Sequence, residues 1–233
     1  MNVLKNIFSS TKDEIWSEFA QEIGATYSFE GVFRKKNSRL VYNYKNWEII
    51  LDTENDTENG STFTRARVAF NNNDNLYFKI RSTNFSPFLR FFIRSSFEIG
   101  DFSFDDRYIV SGNKPEKIKL LLDSLDFKHL MLFMPSSCVL KTIESEGLFS
   151  KRYENGISLL YFRCFGLIKT KKELKTIIEV FKTLLDRLIL TKSTDNFVPQ
   201  IEIKPYYSMS EILKNYKDNI LFFLFKNKNK NVP

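Results

Sequence analysis

F-E-I-G-D-F-S-F-D-D-R-Y-I-V-S-G-N-K-P-E-K-I-K-L-L-L-D-S-L, residues Phe97 to Leu125, is the stretch on which the fold class turns, because it joins a strand-rich first half to a helix-rich second half. Phe102, Phe104, Tyr108 and Val110 alternate as short strands require, with turn signals at Gly100 and at Ser111-Gly112-Asn113. Asn113 as cap, Pro115 in the first turn and Glu116 three residues after Asn113 then predict a helix. Its apolar set Ile118, Leu121, Leu122 and Leu125 has helical spacing. The stretch thus reads as strand, tight turn, buried helix.

Upstream, Thr11 and Glu14 form a capping box, and Ile15, Trp16, Phe19, Ala20 and Ile23 follow at helical spacing up to the stop at Gly24. Strands are expected at Tyr27–Arg34, Leu40–Tyr44 and Trp47–Asp52. Thr62–Phe70 and Leu76–Arg81, either side of the run Asn71–Asn75, read as a hairpin. In that pairing Val68 faces Phe78 on an apolar side, while Arg67 faces Lys79 and Arg65 faces Arg81 on the other. A short helix is expected after Ser86-Pro87.

Downstream, Phe127–Met134 reads as a helix ended by Pro135, and strands follow at Ser136–Thr142, Gly147–Tyr153 and Ile157–Phe165. The last two flank Glu154-Asn155-Gly156, a strong hairpin signal. Thr170 and Glu173 cap a long helix with Leu174, Ile177, Ile178, Phe181, Leu184, Leu185 and Leu188 on one face. A last helix is expected from Ser208 to about Phe225, and Lys226–Asn231 is expected to be disordered. The fold class is therefore α+β, mostly antiparallel strands with helices packed on one face, arranged as one domain over residues 1–192 that could comprise two βα-rich halves. A helical C-terminal extension over 193–233 follows it.

Composition narrows the function. The net charge is +7, but after residue 168 there are 13 Lys or Arg against 7 Asp or Glu, so the body is nearly neutral. Abundant Lys, Asn, Ile and Phe with only 8 Gly is what an A+T-rich coding sequence yields, and no nucleic-acid motif accompanies the charge. The two cysteines, Cys138 and Cys164, lie in apolar segments and read as reduced, buried thiols of a cytoplasmic protein. The N-terminus lacks the apolar core of a secretory signal, and no apolar run approaches a membrane span.

Several short motifs follow one another along the chain: W-x-I-x-L-D-T (Trp47 to Thr53), T-F-T-R-A-R (Thr62 to Arg67), I-G-D-F-S-F-D (Ile99 to Asp105), I-V-S-G-N-K-P-E-K (Ile109 to Lys117), E-G-L-F (Glu146 to Phe149) and G-L-I-K-T (Gly166 to Thr170). In these the chain resembles a family of uncharacterised bacterial proteins to which no activity, cofactor or catalytic residue is assigned. The resemblance implies one evolutionary unit over about Thr11 to Lys192.

Candidate chemistry is sparse. His129 is the only histidine, so any Ser-His-Asp or Cys-His mechanism would have to run through it, and it sits in an apolar helix pattern without a nucleophile motif. The exposed feature with most to offer is the basic strand face Arg65, Arg67, Lys79 and Arg81, which concentrates positive charge unless Glu48, Asp52 or the acidic run Asp52–Asp56 neutralises it. The leading expectation is a non-enzymatic cytoplasmic binding protein that contacts a small anionic ligand or a protein partner through that face, without a cofactor. The alternatives are a metal-assisted hydrolase built on Asp101, Asp105 and Asp106, and membrane-surface attachment through the tail Ile220–Phe225 with its following lysines.

Overall fold

Capping and periodicity set the helices. The structure is a computed structural model and describes residues 11–32, 35–55, 61–85, 96–145, 153–154 and 156–203. Helix α1 (Lys12–Ile23) starts in the Thr11/Glu14 capping box and stops at Gly24, whose φ of 69° is the left-handed conformation glycine adopts freely. Its Trp16 is fully buried and donates from Nε1 to the Ile168 carbonyl at 3.0 Å, which fixes α1 against the chain leading into the helix that begins at Lys171. The other α-helices among the described residues are α2 (Phe102–Arg107), α3 (Pro115–Leu122), α4 (Leu125–Leu132) and α5 (Lys171–Leu190). Helix α5 begins at the Thr170/Glu173 cap and buries Leu174, Ile177, Ile178, Phe181, Leu184, Leu185 and Leu188, the face its spacing predicts.

Among the described residues nine strands form one antiparallel sheet: β1 (Thr26–Val32), β2 (Lys35–Tyr44), β3 (Trp47–Asn55), β4 (Thr62–Asn71), β5 (Phe78–Ser82), β6 (Ser96–Phe97), β7 (Tyr108–Gly112), β8 (Cys138–Ile143) and β9 (Ile157–Phe165), in the order β1-β2-β3-β4-β9-β8-β5-β7-β6. Alternate residues of the strands, among them Ile49, Leu51, Val68, Phe70, Leu140 and Phe162, join the buried faces of α1, α3, α4 and α5 in one core. Helices thus cover one face, as an α+β fold with a one-sided helical layer requires. The other face carries a smaller cluster, in which Ile203 packs on Ile50, Ala69 and Leu159.

Several local expectations are overturned. Strands β4 and β5 do not pair: β4 lies between β3 and β9, and β5 between β8 and β7. The Asn71–Asn75 run is not a reversing turn. The Asn72 side chain donates to the Leu76 carbonyl and to Ser158 Oγ on β9, and accepts from the Leu76 amide, so it bends the chain beneath the ends of β9 and β8. Likewise Phe102–Arg107 is a helix, not a strand. Asp101 caps it by accepting from the Phe104 amide, and the Asp105 carboxylate accepts from the amides of Ile99, Gly100 and Asp101. Phe102 is 88% exposed, so the apparent alternation with the buried Phe104 has no sheet behind it.

Lys114, not Asn113, holds the N-cap position of α3, and its side chain makes no cap hydrogen bond. Asn113 instead accepts from the Tyr77 amide and donates to the Asn75 carbonyl, tying the end of β7 to the crossover. The edges of β9 are taken by β4 and β8. Its expected hairpin partner Gly147–Tyr153 lies almost wholly outside the described residues, as do the expected helices after Ser86 and Ser208, the tail segment Ile220–Phe225 and the terminus Lys226–Asn231.

Candidate functional site

The face of the sheet away from the helices is where charge collects, and strand register says how. One row across it runs Arg39, Asp52, Arg65, Arg163, Val139, Arg81, Ile109 from β2 to β7. The next runs Val41, Ile50, Arg67, Tyr161, Lys141, Lys79, Ser111. All four predicted residues therefore share one face, and Arg65 shares a row with Arg81 as Arg67 does with Lys79. Two strands stand between the members of each pair, a separation of about 14 Å at the usual strand spacing.

The two halves of this face differ in how their charge is met. On β4, Arg65 Nε donates to Asp52 Oδ1 at 2.8 Å and its Nη2 to Oδ2 at 3.1 Å, and Arg67 Nη2 also donates to Asp52 Oδ2. Asp52 and Arg67 are fully buried and Arg65 is nearly so. Burial works against the Arg65 charge, but the neighbouring Asp52 carboxylate outweighs it and raises the pKa above the ordinary arginine value. Glu54 lies 3.7 Å from Arg65 and 3.3 Å from Arg163, whose guanidinium also stacks on the Phe63 ring at 3.5 Å. This half is a buried ion cluster, and Asp52 is the residue that neutralises it.

On β5 and β8 the balance is reversed. Lys79 stands directly opposite Lys141, and Arg81 lies one alternation along from Lys79 on the same side. All three are half-buried, and none has a carboxylate partner among the described residues. Burial lowers the Lys79 pKa, and Arg81 and Lys141 lower it further; burial, Arg163 and Arg81 do the same to Lys141. Lys141 also lies over the Tyr161 ring, 5.3 Å from its centre, and burial pushes that phenol up to about 12.

Sequence reading missed Arg163 and Lys141. Both were legible as polar members of alternating strands, Arg163 with Leu159 and Tyr161, Lys141 with Val139. What placed them on this face was strand order, which alternation does not carry.

The other candidates are accounted for locally. Asp101 and Asp105 are occupied with backbone amides at the start of α2, and Asp106 is exposed. Among the described residues no group of three or more His, Cys, Asp or Glu is placed to hold a metal. His129 is exposed and meets the Phe133 ring edge-on, with centroids 4.9 Å apart. A cleft of about 480 Å³ at the crossover is lined by Asn72, Tyr77, Asn113, Thr142 and Ser158, but the Asn72, Asn113 and Thr142 side chains are spent on backbone groups. No helix among the described residues is long and apolar enough to cross a membrane.

Comparison with family models, with characterised proteins and with solved structures returns no match.

Proposed function

We propose that this chain is a non-enzymatic binding protein that takes an anionic ligand on the sheet face opposite its helices, with Lys79, Arg81, Lys141 and Arg163 as the contact set. One observation carries the reading: the face holds six cations from β4, β5, β8 and β9, while its carboxylates Glu48, Asp52 and Glu54 all lie on β3, Asp52 and Glu54 against Arg65, Arg67 and Arg163. Folding has gathered Lys79, Arg81 and Lys141 beside one another without a counter-charge among the described residues. Like charges directly opposite on paired strands cost tenths of a kcal/mol up to about 1. A bound phosphate or carboxylate removes that cost, because it favours the protonated lysines that burial and their neighbours disfavour.

The geometry suits an anion with more than one charged group. Arg81 and Arg163 flank Val139 in one row and offer planar guanidinium forks, while Lys79 and Lys141 supply compact charges in the next. Arg65 and Arg67 continue the same two rows on β4 and are held by Asp52. The test is thermal unfolding in inorganic pyrophosphate and in a short oligoglutamate, each against sodium chloride of matched ionic strength. A rise in midpoint beyond the chloride control, abolished by Arg81→Glu with Lys141→Glu and kept by Lys175→Glu on the exposed side of α5, is the expected result. Equal midpoints in anion and chloride sink the proposal.

A further inference from the structure

Cys138 and Cys164 face each other across the β8–β9 ladder as direct register partners. One step further out, the Phe165 amide donates to the Ser137 carbonyl at 3.2 Å, which makes Ser137 and Phe165 a hydrogen-bonded pair. Antiparallel rungs alternate, so Cys138 and Cys164 form a non-hydrogen-bonded pair, the kind with side chains closest and Cα atoms about 4.5 Å apart. A disulfide spans Cα separations of roughly 4.4–6.8 Å. Both side chains point into the helix-covered core, both are nearly fully buried, and both are free thiols.

We propose that Cys138 and Cys164 are an oxidation site that closes into a cross-strand disulfide with a small peroxide as the oxidant. One thiolate sulfur attacks a peroxide oxygen; the S–O bond forms, the O–O bond breaks and hydroxide leaves, giving a sulfenic acid. The second thiolate then attacks that sulfur; the S–S bond forms, the S–O bond breaks and hydroxide leaves. The two thiol protons neutralise the two hydroxides, so two thiols and one peroxide give one disulfide and two waters. The two sulfurs lose two electrons between them, and the peroxide gains them.

Access comes from the position of the pair in the sheet. Cys138 is the first residue of β8 and Cys164 the last but one of β9, so their rung lies at the end of the ladder, with only the Ser137–Phe165 pair beyond it. Exposed Ser136 and Phe165 lie just beyond it. Strand ends open at less cost than strand centres. In the closed state burial pushes both thiols up to about 12, so reaction waits on that opening. Oxidation is therefore slow in the resting fold and faster wherever the rung frays.

The experiment treats the full chain with hydrogen peroxide, quenches it, denatures it, alkylates free thiols and maps peptides without reductant. The expected result is a linked Cys138–Cys164 peptide with loss of two hydrogens and of both alkylation sites, reversed by dithiothreitol, together with a thermal midpoint several degrees higher. Urea below the unfolding transition should speed closure several-fold. Two alkylatable cysteines after peroxide, or separate oxidation of each thiol without a linked peptide, would overturn the proposal. The wild-type chain gives this readout without any variant; Cys138→Ala and Cys164→Ala serve as controls that keep one thiol and cannot link.

Discussion

Lys79 and Lys141 stand directly opposite each other on adjacent antiparallel strands, half-buried, with Arg81 on the same side of the sheet. Replacing Lys141 with Met keeps the aliphatic stem and removes one charge. The variant is expected to be more stable than wild type by about 0.5–1 kcal/mol at neutral pH, read as a higher urea midpoint with unchanged slope. Added salt should shrink the difference by screening.

The same pair fixes a pH dependence. Both lysines have folded pKa values below 10.5, so near that pH the folded chain binds fewer protons than the unfolded one. Stability from these groups therefore rises with pH through the window between their lowered folded values and 10.5. Unfolding free energies measured from pH 8 upward should show the gap between wild type and Lys141→Met closing. A gap that widened would contradict the sign.

Asp52 answers for the opposite side of the face. Its carboxylate accepts two hydrogen bonds from Arg65 and one from Arg67, all three residues buried. Asp52→Asn keeps the shape and removes the charge that compensates both guanidinium groups. A loss of about 3–5 kcal/mol is expected, the range for breaking a buried ion pair from one side. By contrast Asp186→Asn, which breaks an exposed contact with Lys45 at 2.6 Å, should cost under about 1 kcal/mol. Comparable losses at the two sites would mean that Asp52 is not the anchor of the cluster.

How much of this was legible in the sequence depends on the range of the interaction. Thr11 with Glu14, Gly24, and Thr170 with Glu173 act within a turn or two, and each delimits its helix as its spacing predicts. The α+β class and the one-sided helical layer followed from periodicity, which is also local. Strand order was not legible: the β4 apolar face fits β5 or β9 equally well, since alternation says which side chains face the core and nothing about which strand lies alongside. The four basic residues were placed on the right face for that reason, while Lys141 and Arg163, which lie between them, were missed. Asp101 misled because one residue type serves turns, metal sites and helix caps, and only the Phe104 amide at 3.0 Å decides among them.

Gly112 marks where the crossover is tightest. It ends β7 opposite Phe78, and a methyl group there would overlap both the Tyr77 carbonyl oxygen and Ile118 Cδ1. The side chain of Ile118 could turn away, but the carbonyl belongs to the backbone that enters β5. Gly112→Ala is expected to cost about 1–3 kcal/mol, as overpacking does. Ile118→Val in the same chain should recover only part of it, since the carbonyl remains. Full recovery would assign the whole conflict to the side chain.

Strand order itself makes the last prediction. Strand β9 lies fifth of nine, with β4 paired along its whole length on one side and β8 on the other. Both of its edges are hydrogen-bonded, and its inward residues Leu160, Phe162 and Cys164 are buried under the helical layer. The amides at its centre, away from the Cys164 end, open only when the sheet does, so their exchange should approach the global unfolding free energy, with β4 close behind. Among the described residues strand β1 pairs on one side only and should exchange faster by orders of magnitude, as should β6, whose described pairing covers Ser96 and Phe97. Had β4 and β5 formed a hairpin, the slowest amides would include those of β5 facing β4. Peptide-resolved hydrogen exchange separates the two arrangements: protection centred on Ile157–Phe165 and Thr62–Asn71 supports the crossover, and protection shared between Thr62–Asn71 and Phe78–Ser82 at the expense of Ile157–Phe165 refutes it.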